Sequence, residues 1–323
     1  MSIALPAIKA TLAIAAHTLP VIGITLMITE LLSAWGVLRR IQVFLCPLLR
    51  LARLPAATGP ALVTAFGSAL SANTMIAADY RHGRLDKGQA LLAAQANTLP
   101  GYITETVTYM LPVMLPALGG APGSFYLAAF ILTGLIKGIL IVIVGRRLAS
   151  EKWQADSTLQ TGSLWTNRPD AFVVALKRST RMFVRIAVIL MGTSLLTTLA
   201  LHGGLLSLAV ESLAPVLFYF DLPGSLVVPI LGYAFSPLAG ATAIGALFKS
   251  AAVSAYTATL AALLGSLLAL PVFALRSSMA RNISVFGLRL GILNTLITVG
   301  IGVLSRLGLI LLVPFFFKAM MTH

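Results

Sequence analysis

Acidic residues and cysteine are what this sequence has least of. Nine Asp and Glu stand against 23 Lys and Arg, and only 10% of the 323 residues are charged. A water-soluble chain is about 25% charged and 45–50% apolar, whereas here 58% of residues are hydrophobic and the mean hydropathy is +0.96. One aqueous core has no room for that much apolar surface, so the chain needs lipid as its solvent. Soluble enzymes, nucleic-acid-binding proteins and disordered scaffolds are excluded on this ground. The single cysteine, Cys46, excludes an internal disulfide framework, a cysteine zinc site and an iron–sulfur cluster held by this chain alone. None of the four histidines (His17, His82, His202, His323) has metal-ligand spacing to another His or a carboxylate. A G-x-x-x-x-G-K-[ST] phosphate loop is missing, so ATP does not drive this chain directly. The sequence also lacks a G-x-S-x-G elbow and an H-E-x-x-H helix, which disfavours a membrane protease or lipase. No enzyme activity and no cofactor are expected.

What is present is charge of one sign in short blocks. The net charge of +14 is gathered between apolar runs, the pattern of cytoplasmic loops rather than of a nucleic-acid-binding face. Only Lys9 precedes the apolar stretch 12–35, which is long for a signal peptide, and we expect it to be retained as a first span.

The chain resembles itself. LMITELL (26–32) is similar to LMGTSLL (190–196), and CPLLRLARLP (46–55) to APVLFYFDLP (214–223) at an offset of 168. GPALVTAFGSALSANTMIAA (59–78) matches VPILGYAFSPLAGATAIGAL (228–247) at 169, and LPGYITET (99–106) matches LPVFALRS (270–277) at 171. Four matches in one order predict two homologous halves, 1–148 and 172–323, around a basic cytoplasmic linker, 149–171.

Charge then sets topology. Residues 12–38 can span, and 41–54, which carries Arg50 and Arg53, should lie at the interface. Segment 59–78 is flanked by cations at both ends, which a re-entrant hairpin satisfies and a straight span does not. Segment 88–118 contains Pro100, Pro112 and Pro116 and reads as one long broken span or two pieces, and 125–145 returns to the linker. Three crossings and a hairpin per half turn the second half upside down. Residues 186–248, on the outer side in this scheme, contain no Lys or Arg. The expectation is an all-α integral membrane protein of two inverted-topology repeats. Each repeat has about three spanning helices, an interfacial helix and a re-entrant hairpin, the plan of many secondary transporters.

Backbone leaves regular helix at membrane depth only where protein buries it or water lines it. The two turns, FGSALSAN (66–73) and FSPLAGAT (235–242), are the places expected for this. Their motifs AFGSALSAN and YAFSPLAGA resemble the paired motifs of the nucleoside-recognition, or Gate, family, over roughly 20–145 and 185–313. That family includes the membrane part of ferrous-iron transporters, spore maturation proteins and small two-Gate proteins, with concentrative nucleoside transporters more distant. The resemblance implies two Gate-like halves and a membrane transport role. The iron transporters carry cysteine in a G-F-G-C motif where this chain has Ser68, so the resemblance does not extend to iron as cargo.

Candidate substrate-binding residues are the hydroxyls and amides of the turns (Ser68, Ser71, Asn73, Ser236, Thr242), Asn97 before the Leu99-Pro100 break, and Glu105 after it. Small polar residues also join helices without binding anything. Glu30 and Lys137 lie inside apolar segments and are expected to couple an ion or to form a structural charge pair, since an unpaired charge there costs about 2.5–3.5 kcal/mol. Arg276 and Asn294 are expected to match Glu105 and Lys137 in the second half. The functional expectation is alternating access for a small polar solute or ion around the two turns. The alternative is a non-transporting regulatory or assembly subunit that docks through its basic linker. Expected partners are the bilayer, the solute, and either a second copy of the chain or a membrane partner subunit. The expected location is a bacterial or archaeal cytoplasmic membrane, multi-pass, with the linker inside.

Overall fold

The structure is a computed structural model that describes residues 51–55, 58–66, 68–148 and 219–321, with scattered positions in 12–27 and 173–191. The first span, most of the interfacial segment 41–54, the linker 149–171 and Glu30 lie outside the described residues. Every regular element described is helical. The first half contributes α1 (Thr58–Ala65), α2 (Ala69–Arg81), α3 (Lys87–Ala96) and α4 (Leu99–Glu105). A π-helical stretch (Thr106–Met114), α5 (Leu115–Leu118) and α6 (Gly120–Leu148) follow. The second half has a 3₁₀ turn (Gly224–Leu226), α7 (Val227–Phe235), α8 (Pro237–Lys249) and α9 (Ala255–Phe273). A second π stretch (Ala274–Ser278), α10 (Met279–Phe286) and α11 (Leu288–Met321) complete it.

Among the described residues, three helices are long and apolar enough to cross a bilayer: Gly120–Leu148, Ala255–Phe273 and Leu288–Phe317. They differ in exposure. Residues Ala258 to Ser266 of α9 are all buried, so this part of the helix is enclosed by protein on every side, while Leu268 and Phe273 further along are exposed. By contrast α6 and α11 expose Leu135, Ile139, Leu304, Leu311 and Phe315. Such rows of bare apolar side chains suit lipid, not water. The described residues form an all-helical fold with apolar helices fit for a membrane.

Local features recur at a constant spacing of 168 residues. The N-cap of α2 is Ser68 and that of α8 is Ser236; both have extended backbone, and both helices run 13 residues. Helix α3 is capped by Asp86 and α9 by Ser254. The π stretches start at Thr106 and Ala274. Helices α5 and α10 stop at Gly119 and Gly287, with φ of 82° and 80°. Left-handed backbone also recurs at Arg53 and Asp221, and at Gly83 and Ala251. The uniform spacing corrects the drift of 168 to 171 expected from the sequence, which came from aligning similar letters rather than caps. It also replaces the expected matches of Glu105 and Lys137: at 168 residues these positions correspond to Phe273 and Ser305, not to Arg276 and Asn294.

Segments 59–78 and 228–247 each fold as two short helices around a turn, not as one continuous helix. Helix α2 packs on α3 and on α10, while α8 packs on α9 and on α5. Each hairpin thus leans on the other half. Helix α6 likewise packs on α9 and α11. A close crossing explains one glycine: a Cβ at Gly245 in α8 would overlap the Ala117 carbonyl oxygen of α5.

The breaks have identifiable causes. Pro100 is the second residue of α4, where an amide hydrogen has no helical acceptor to lose. The interruption is therefore at Asn97–Thr98, before the proline, and not around it as the sequence suggested. Pro112 falls inside the first π stretch and Pro271 three residues before the second. A proline ring clashes with the carbonyl four residues back, and a widened turn is one way to accommodate it.

The matched pair Gly83 and Ala251 gives a test of this spacing. Left-handed backbone costs a non-glycine residue roughly 1–2 kcal/mol, with φ of +71° and +57° at the two sites. Gly83→Ala should lower the free energy of unfolding by about 1 kcal/mol, and Ala251→Gly should raise or preserve it. Thermal unfolding of the purified variants in detergent, followed by circular dichroism, reads both.

Candidate functional site

The turn between α1 and α2 is held by its own hydroxyls. The Ser68 Oγ accepts from the Ser71 amide at 3.1 Å and from the Ser71 hydroxyl at 2.9 Å. This is an N-cap with a second donor added. One turn further along α2, the Asn73 Oδ1 accepts from the Asn97 amide at 3.2 Å, tying α2 to the end of α3. Asn97 is buried, and Asn73 is half-buried. Four expected site residues, Ser68, Ser71, Asn73 and Asn97, therefore lie along one hairpin and its neighbour, within two linked pairs.

The second hairpin is built differently. Ser236 accepts from the Ala239 amide at 3.4 Å as a plain N-cap. Thr242 is buried and donates its hydroxyl to its own helix, to Leu238 O at 2.9 Å and Ala239 O at 3.0 Å. Its proton is spent inside the helix. The Asn73 and Asn97 positions correspond to Ala241 and Gly265 by the 168-residue spacing. There the Tyr233 ring, 1% exposed, packs into the space left by Gly240 and Gly265, where any Cβ would lie within 2.4 and 2.7 Å of the Tyr233 Cβ. An aromatic ring fills in the second half what a polar pair occupies in the first. Among the described residues no hydrogen bond joins the two turns to each other.

Glu105 ends α4, immediately before the π stretch, and is solvent- or lipid-exposed at its surface. It makes no ion pair with any described residue; the one described ion pair is Arg84–Asp79, in the loop after α2. Lys137 is 1% exposed, and among the described residues its Nζ has no hydrogen-bond partner and no ion pair, with Glu105 or any other carboxylate. Its expected companion Glu30 lies outside the described residues. The face of Tyr102, on α4, lies 6.0 Å from the Lys137 Nζ, the outer limit of a cation–π contact.

Sequence reasoning missed the second buried cation. Arg306 is 9% exposed in α11 and donates from Nη1 to the Thr133 hydroxyl of α6 at 3.2 Å. The signal was available: Arg306 lies in an apolar run as long as the one that drew attention to Lys137. Also missed was a trio between the halves. The Gln95 Nε2 of α3 donates to Asn294 Oδ1 at 2.6 Å and Asn294 O at 3.0 Å, and is 3.0 Å from the Thr298 hydroxyl, both partners being on α11. Gln95 and Asn294 are buried. The arrangement can orient polar groups and hold a fixed contact across the interface. Among the described residues no three of His, Cys, Asp and Glu gather in one place.

Two proteins of Methanocaldococcus jannaschii resemble this chain, one over nearly its whole length and one over part of it. The uncharacterized protein MJ0880 is 22% identical over 297 residues, 92% of this chain and 95% of its own. The uncharacterized protein MJ1556 is 22% identical over 207 residues, 64% of this chain and 65% of its own. No protein-family model matches the chain, and no solved structure does either.

The Gln95–Asn294–Thr298 trio can be tested by removing one partner or both. Gln95→Leu leaves Asn294 buried without its partner and should cost about 1 kcal/mol, within the range of hydrogen bonds between membrane helices. Adding Asn294→Leu should recover part of that loss. A double-mutant cycle on unfolding in mixed detergent micelles measures the coupling.

Proposed function

We propose that this protein is a secondary transporter-like membrane protein that moves a small polar solute or ion by alternating access. The observation that carries this reading is the recurrence, 168 residues apart, of a serine-capped hairpin followed by a helix that loosens into a π stretch. Two halves of this kind with an odd number of crossings each are inverted relative to one another, and inverted repeats with broken helices are a common transporter plan. The hairpins are then re-entrant, and the halves rock about the α6–α9 and α6–α11 contacts. The resemblance of the turn motifs to the Gate family supports the same reading.

Within it, the polar contacts sit on the first half. The Ser68–Ser71 and Asn73–Asn97 pairs lie beside the α3–α4 break, whereas the corresponding place in the second half is packed with Tyr233. Glu105, at the junction of α4 and the π stretch, is the carboxylate placed to bind a coupling cation or proton.

Purified protein in liposomes tests this directly. Flux of a solute found by screening nucleosides, divalent metals and organic anions should occur with the chain alone; activity that needs a second protein would favour the docking-subunit alternative. Glu105→Gln keeps shape and hydrogen bonding but removes the charge. It should insert and unfold like the parent while flux, or its pH dependence, is lost. A stable Glu105→Gln protein with unchanged flux and pH profile would remove the role assigned to this residue.

A further inference from the structure

We propose that Lys137 and Arg306 form a binding site for a small anion, a carboxylate or oxyanion, held between α6 and α11 near mid-membrane. Lys137 lies 17 residues from Gly120 and 11 from Leu148 in α6, about 25 and 16 Å from the ends at 1.5 Å per residue. That depth is beyond the easy reach of a headgroup. The Nζ is buried and carries three donors, none of them used. Arg306 is buried as well, and the one hydrogen bond described for its five donors goes to Thr133. Thr133 stands one helical turn before Lys137 on the same face of α6. Thr133 thus links the two cations: Arg306 bonds its hydroxyl, Lys137 follows it by one turn, and the Tyr102 ring lies 6.0 Å from the Lys137 Nζ.

The register shows how the site arises. By the 168-residue spacing, Lys137-Gly138 corresponds to Ser305-Arg306. Each position pairs one cation with one small residue, and α6 packs on α11, where Arg306 bonds Thr133. Two buried cations repel each other, and each is costly to desolvate without an opposite charge. No described carboxylate pairs with either. Glu105 adds a negative charge to the neighbourhood but no ion pair, so the excess stays positive. An anion would take up the idle donors of Lys137, and the guanidinium fork would fix a carboxylate or oxyanion in two directions. A Cβ at Gly138, the neighbour of Lys137, would meet no atom within 4 Å.

This goes beyond the transport reading and can be measured without flux. The full chain is placed in nanodiscs of neutral phosphatidylcholine and challenged with inorganic phosphate, sulfate, acetate and succinate, each against chloride at equal ionic strength. At least one probe should bind saturably by calorimetry and raise the unfolding midpoint. Lys137→Met and Arg306→Met should each weaken that binding by about tenfold or more, Lys137→Arg should retain it, and Lys249→Met should leave it unchanged. Without any probe, Lys137→Met should raise the unfolding midpoint, because it removes an uncompensated charge. A countercharge supplied by the chain itself gives the opposite: Lys137→Met lowers the midpoint and no probe shifts it. The proposal is overturned by that result, by probe binding unaffected in both variants, or by binding that appears only when phosphatidylglycerol replaces the neutral lipid. Flux without anion binding would spare the transport reading alone, and anion binding without flux would spare this site alone.

Discussion

Lipid offers no hydrogen bonds, so every polar group carried into it must find its partner within the protein. The described fold follows from that one constraint. Hydroxyls inside the long helices are folded back onto the carbonyl a turn earlier: Thr133 to Ala129, Thr259 to Ala255, Thr295 to Gly291, Ser305 to Ile301. Amide side chains are joined across helices, as in Asn73–Asn97 and Gln95–Asn294. Helix starts that follow a turn are capped by Ser68, Asp86, Ser236 and Ser254. Among the described residues two buried side-chain atoms stand outside this settlement without a hydrogen-bond partner, the Lys137 Nζ and the Tyr233 hydroxyl.

The two halves share a skeleton and differ in what they hang on it. Caps, left-handed residues and π stretches recur at a fixed spacing, while the side chains between them diverge. Asn97 faces Gly265 in the correspondence, Asn73 faces Ala241, and Lys137 faces Ser305. Backbone devices are set by geometry that both halves need in order to pack on each other. The chemistry has no such duty, and it is unequal.

Much of the skeleton was legible in the sequence. Small and polar residues grouped at 66–73 and 235–242 marked the turns, and the prolines of 88–118 marked a segment that could not be one straight helix. The exact places of the breaks were not legible, because Pro100 serves equally well to start a helix and to end one. The drift in the repeat offset had a similar origin: Ala, Leu and Gly recur so often that letters align where caps do not. For the candidate site, the sequence pointed to Glu105 and Lys137 individually, and their separation needed coordinates. Arg306 was overlooked because basic residues were read as loop markers, a rule that fails for a cation buried against Thr133.

One difference between the halves bears on stiffness. Nineteen residues, Ala255 to Phe273, form a single rod in α9, whereas the stretch 168 residues earlier is divided into α3 and α4 by the Asn97–Thr98 turn. A divided rod bends at less cost than an intact one, since the bond geometry lost at the joint has already been given up. The α3–α4 joint also carries the Asn97 amide that holds α2. On the transport reading proposed above, bending at this joint would carry the first hairpin with it through Asn97, whereas no turn interrupts α9 between Ala255 and Phe273.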